Sequence, residues 1–243
     1  MSPGHIHHTS FVMLGLIVVF AIIHSGGAAI RSRAENVIGA RAWRLIFAFL
    51  SIPSASVLIG YFLAHRYDGI RLWNLQGIPG IIPCIWILTA ISFWFLYPAT
   101  YNLLEIPAVV RPKVRLYSQG IIRITRHPQA IGQIIWCFAH GLWIGSSFML
   151  VTCLGLIGHH LFAIWHGDRR LRVKFGEEFE ELRKNTSIIP FLAVFDGRQK
   201  LILEEFLRPS QLGICLAIGL LWWSHRFISL GSQAFINFIY VNS

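Results

Sequence analysis

The sequence predicts an all-α fold, a polytopic transmembrane helix bundle of about six spans with an amphipathic helix on one side. Three observations predict it. Charged residues make up 13% of the 243-residue chain, against about 25% in a soluble domain. The mean hydropathy is +0.59. The apolar residues also gather in long blocks that hold no Asp, Glu, Lys or Arg, and a bilayer core takes about 20 helical residues to cross.

The first uncharged block, 9–30, is one span, and the second, 45–64, is another. A third runs 80–104. The longest, 128–166, has room for two crossings, 128–146 and 148–166, joined by a tight turn at Gly145-Ser146-Ser147. The sixth, 209–228, continues past Arg226. Between the fifth and sixth spans lies the longest polar stretch. There Leu171, Phe175, Phe179 and Leu182 recur at helical spacing, opposite Arg172, Lys174, Glu177, Glu181 and Lys184. That pattern predicts an interfacial amphipathic helix over 168–185, with Asp168 as its N-cap. The following Ile188-Ile189-Pro190-Phe191-Leu192 is too short to span and either dips into the headgroups or covers the bundle. No internal repeat or linker divides the chain, so 1–243 reads as a single integral membrane domain.

All but three of the 21 Lys and Arg (Arg66, Arg71 and Arg226) fall in the loops on one side of this arrangement. By the positive-inside rule that side is cytoplasmic and both termini lie outside. The net charge of +10 then belongs to the membrane surface, and no nucleic-acid module is present, so the lipid bilayer rather than nucleic acid is the partner. Cys84, Cys137, Cys153 and Cys215 all sit within spans, which argues against a disulfide framework. Only eight residues precede the first span, with no signal-peptide pattern, so no removable leader is expected.

Ionisable residues inside a span are functional hypotheses by default, because burying them must be compensated. Among 11 histidines, several fall in the apolar blocks. In the fourth span Gln129, Gln133, Cys137 and His140 follow at intervals of four, four and three and form one polar stripe. Cys137 and His140 can face one point. Imidazole and thiolate both bind transition metals and haem iron, and the stripe serves equally for polar packing between helices. There is no Cys-x-x-Cys-His motif, so any haem would be held noncovalently. The fifth span carries Thr152, His159 and His166 at intervals of seven, with His159 facing the bundle and His160 about 100° around the helix. The first carries His24, followed by the small residues Ser25-Gly26-Gly27-Ala28-Ala29, which admit a neighbouring helix or a flat cofactor. His127, just before Pro128, reads as a surface or interface residue.

The runs Arg126-His127-Pro128-Gln129, Gly132-Gln133, Trp136-Cys137-Phe138-Ala139-His140, Gly158-His159-His160, Gly167-Asp168-Arg169-Arg170-Leu171 and Phe175-Gly176-Glu177, with His24-Ser25-Gly26, resemble the 15-cis-zeta-carotene isomerase family of the wider NnrU-like group. The resemblance spans about residues 9 to 230 and is most specific over 115–191. It implies a haem b-dependent isomerase. The reaction turns the 15-cis double bond of 9,15,9'-tri-cis-zeta-carotene to trans and gives 9,9'-di-cis-zeta-carotene, so the implied partner is a carotenoid taken from the membrane. His24 and His140 would be the axial iron ligands, and Cys137 an alternative ligand on a change of redox state. The reading of the residues themselves adds Gln133 of the polar stripe at the cofactor, and His159 as the rival ligand or a donor behind the ligands. The plant members' transit peptide has no counterpart here, which points to a cyanobacterial or other bacterial inner or thylakoid membrane.

Helix rise alone pairs the histidines differently. His24 lies roughly 10 Å from the basic end of its helix, His159 roughly 12 Å and His140 roughly 20 Å, so depth matches His24 to His159. Two rival readings stand beside the isomerase. The Arg-His-Pro and Phe-Gly-Glu-x-Phe segments also resemble S-adenosylmethionine-dependent isoprenylcysteine and phospholipid methyltransferases, with His127, Pro128 and Glu178 at the interface. A non-catalytic, NnrU-like haem-binding protein is the other.

Overall fold

A computed structural model of the chain describes residues 3–104, 116–206 and 209–242. It is all-helical, and no strand occurs among the described residues. Helix α1 (Pro3–Ala21) runs through a π-helical segment (Ile22–Gly26) into α2 (Gly27–Ile38). Then come α3 (Ala40–His65), α4 (Ile81–Leu104), the single turn α5 (Ile121–Ile124), α6 (Pro128–Ile144) and α7 (Ser147–Phe175). The chain ends with α8 (Glu177–Asn185), α9 (Leu192–Phe195), a 3-10 turn (Leu203–Phe206) and α10 (Pro209–Asn242).

Four of the described helices are long and apolar enough to cross a membrane: His8–Ile38, Ala40–His65, Ser147–Phe175 and Gly213–Ser232. The other two expected spans are helices as well. In α4 the apolar part with described side chains is Ile81–Leu96, and α6 has 17 residues, roughly 26 Å of helix against a core of about 30 Å. The expected basic residues at 111–115 and at 208 lie outside the described residues.

The turn between α6 and α7 falls where the sequence placed it. Gly145 closes α6 in the left-handed conformation (φ 64°), and the Ser146 hydroxyl caps α7 by accepting from the Met149 amide at 3.0 Å. The segment after α3 pins this turn. The Leu72 amide donates to Gly145 O at 2.7 Å, the Ser147 amide to Ile70 O at 2.9 Å, and the Trp73 indole to Gly141 O at 3.1 Å.

The interfacial helix expected over 168–185 is not a separate element, and this corrects the sequence reading. Helix α7 runs without a break through Gly167 and Asp168 to Phe175, and the chain turns at Gly176 (φ 52°) before α8. One glycine inside a helix costs only about 1 kcal/mol, so Gly167 does not end it. Asp168 is no N-cap, because its carboxylate is taken from the side by Arg126 and His127. Ile188–Leu192 covers the entry to α6: Arg126 N donates to Ser187 O at 3.0 Å, Thr125 Oγ1 to Ile188 O at 2.7 Å and Phe191 N to Ile124 O at 2.9 Å.

The core lies among α1, α3, α6 and α7, where Met13, Ile17, Leu58, Phe62, Cys137, Phe148, Met149 and Cys153 are buried together. Helices α4 and α6 meet most closely at Gly132. A Cβ there would lie 2.8 Å from Ser92 O and 2.9 Å from Leu96 N, and Ser92 Oγ donates to Gly132 O at 2.8 Å.

Candidate functional site

The π-helical segment is built around His24. A π turn carries one residue more than the helix needs, and such insertions cluster at functional sites. The His24 ring stacks on Phe20, with centroids 5.1 Å apart, and leans on Phe47 of α3 at 5.3 Å. Its Nδ1 is buried and has no hydrogen-bond partner. Phe20 also meets His159 of α7 edge-on at 5.7 Å, and His159 Nδ1 is likewise buried and unpartnered. The His160 ring stands against His159 at 5.2 Å. Two histidines thus share one phenylalanine, and His160, expected to turn away, stands edge-on to one of them, His159. An unmet buried imidazole nitrogen is costly, and two side by side are what an added ligand would relieve.

His140 sits elsewhere. Its Nδ1 is 3.0 Å from Trp136 O. A carbonyl only accepts, so Nδ1 carries the proton and Nε2 keeps its lone pair. The ring stacks on Trp136 at 4.0 Å, and Trp136 meets Phe62 edge-on at 5.7 Å. His225 of α10 packs edge-on against Trp86 of α4 at 5.2 Å. An open apolar groove of about 390 Å³ continues from there between α4 and α10, lined by Trp86, Thr89, Phe93, Cys215, Gly219 and Trp222.

Cys137 is buried between α6 and α7. Gln133 Nε2 donates to its sulfur at 3.8 Å, and Cys153 Sγ donates to its carbonyl at 3.3 Å. The polar stripe of α6 is therefore real as far as Gln133, Cys137 and His140 go. The ring contacts of His24 and those of His140 involve different partners, so the two do not touch among the described residues. All four cysteines are free thiols, Cys84 and Cys215 exposed, Cys137 and Cys153 buried. Among the described residues no three His, Cys, Asp or Glu side chains converge as a bare-ion centre.

At the basic side His127 is not a free surface residue. Its Nε2 donates to Asp168 Oδ1 at 2.8 Å, and Arg126 donates to Oδ2 through Nε and Nη2 at 3.1 Å each. The three side chains are 11–17% exposed. Glu178, the third residue of the methyltransferase reading, stands exposed on α8. Nearby, Glu205 accepts from Arg123 at 2.8 and 2.9 Å and holds that guanidinium's pKa above its ordinary value.

Sequence reasoning missed the π segment and the aromatic cradle of His24. The i, i+4 pair Phe20–His24 was the available signal; the cross-helix partners Phe47 and His159 are legible only in three dimensions.

The sequence profile of the NnrU protein family matches residues 12–231. The chain is 54% identical over 211 residues to the chloroplastic 15-cis-zeta-carotene isomerase of Arabidopsis thaliana, covering 85% of this chain and 58% of that protein. It is 49% identical over 224 residues to the chloroplastic 15-cis-zeta-carotene isomerase of Zea mays, covering 91% and 61%. The chain thus spans about three-fifths of the length of these relatives. No solved structure matches it.

Proposed function

The chain belongs to the NnrU family, and on that premise we propose that it is a membrane isomerase. Its reaction turns the 15-cis double bond of 9,15,9'-tri-cis-zeta-carotene to trans and yields 9,9'-di-cis-zeta-carotene. The observation that carries this reading is identity of about half the residues to two relatives bearing the isomerase name, over most of this chain. A carotenoid is wholly apolar, and the helices that would meet it are too. The membrane is the thylakoid or bacterial inner membrane in this reading.

Haem b is the proposed cofactor; His24 and His140 are the residues that would hold its iron, with Cys137 as the alternative. Imidazoles suit the iron, and the buried, unpartnered Nδ1 of His24 and the free Nε2 of His140 fit that role. When bound, haem supplies reversible electron exchange with the conjugated chain, which lowers the order of the bond to be turned. The protein's own residues do the rest. The Trp136 carbonyl fixes the His140 tautomer and leaves Nε2 outward. Gln133 and Cys153 hold Cys137 in place through its sulfur and carbonyl. The groove beside Trp86 and Trp222 offers apolar surface to one arm of a polyene and keeps water away. His159 is a second reading for the partner of His24, favoured by their shared contact with Phe20 and their matching unmet nitrogens.

The test has two parts. Expressed in darkness in cells that accumulate the tri-cis substrate, the chain should yield the di-cis product, whereas a non-catalytic haem protein would not. Purified in detergent, it should show bis-imidazole haem b bands that disappear or shift in His24→Ala and in His140→Ala. Loss in His159→Ala with His140→Ala unchanged would move the second ligand to His159. Binding of S-adenosylmethionine without haem would overturn the proposal for the methyltransferase.

A further inference from the structure

Two arginines meet at the basic end of the His24 helix, and only one of them has a carboxylate partner among the described residues. Arg31 lies seven residues after His24 on the same helical rod, roughly 10 Å along it. Its Nε donates to Glu35 at 2.5 Å, but its Nη2 is buried with no partner. Arg170 of α7 reaches across, and its Nη1 donates to Ala28 O at 3.0 Å, one turn beyond His24. Among the described residues Glu35 is the one carboxylate paired with these two arginines, and Arg170, which is exposed, forms no ion pair.

Two guanidinium charges against one carboxylate leave an excess of one positive charge. A buried guanidinium nitrogen with no acceptor is costly, and arginine forks are shaped to take oxyanions two oxygens at a time. We infer that Arg31 and Arg170 form a binding site for oxyanion groups, one to two helical turns from His24 toward the basic side, which clamps the carboxylates of a flat ligand held at His24. The assignment rests on the haem reading above for the identity of that ligand, since haem b carries two propionates, one for each arginine fork. A phospholipid headgroup offers the same oxyanion chemistry from another source.

The experiment titrates haem b and its dimethyl ester, which lacks both carboxylates, into the full chain in detergent and follows the Soret band. The wild type should hold haem b at least tenfold more tightly than the ester. Arg31→Gln/Arg170→Gln should lose about tenfold toward haem b and nothing toward the ester, which also shows that the variant is folded. Arg31→Lys/Arg170→Lys should keep part of the preference. A preference that survives unchanged in the Gln variant overturns the site. Phospholipid phosphorus carried by each preparation separates the sources. Phosphorus lost from the Gln variant, with its haem preference intact, overturns the carboxylate clamp in favour of a headgroup site. Wild type that binds neither porphyrin overturns the haem reading itself, an outcome distinct from loss of discrimination.

Discussion

At Gly132 one hydrogen atom decides how closely two helices approach. The backbone of α4 stands 2.8 Å from where a Cβ would be, and backbone, unlike a flexible side-chain tip, does not swing aside. Gly132→Ala should therefore cost about 1–3 kcal/mol by overpacking, read as a lowered midpoint of thermal unfolding in detergent. Asp168 decides a different matter. Its carboxylate joins Arg126 and His127 before α6 to the far end of α7. Asp168→Asn removes the charge that both neighbours use and should cost about 1.5–3 kcal/mol. Haem spectra should survive, since none of the three is a proposed ligand.

Among the elements, the π segment is the informative one. If the extra residue is what sets the angle of His24, deleting Ile23 should restore a plain helix, turn the histidine off Phe20 and abolish haem retention. Helix content by circular dichroism should stay near wild type. The element pattern was largely legible in the sequence: uncharged blocks gave the helices, and Gly145-Ser146 gave the turn. The end of α7 was not. A glycine before an aspartate looks like a helix start, and only the sideways pairing of Asp168 reveals that it is interior. The site was legible in part for a similar reason. Spacing along α6 finds Gln133, Cys137 and His140, because they share one helix. The nearness of His24 to His159 through Phe20, and the bond from Arg170 to Ala28, depend on how α1, the π segment and α2 pack against α7, and no one-dimensional period encodes that.

For the whole molecule, the asymmetry of charge predicts orientation. In a chain whose exposed Cys84 and Cys215 are replaced by Ser, cysteines introduced one at a time as Arg33→Cys and Arg71→Cys should react with a membrane-impermeant maleimide from opposite faces of sealed vesicles. Labelling of both from one face would overturn the six-span topology. The two buried histidine nitrogens have a consequence at this scale as well. A ligand that met the nitrogens of His24 and His159 would raise the stability of the fold by mass action. In the haem reading the lifetime of the protein in its membrane would then be tied to supply: newly made copies that found their ligand would persist, and those that did not would be the first presented to proteolysis.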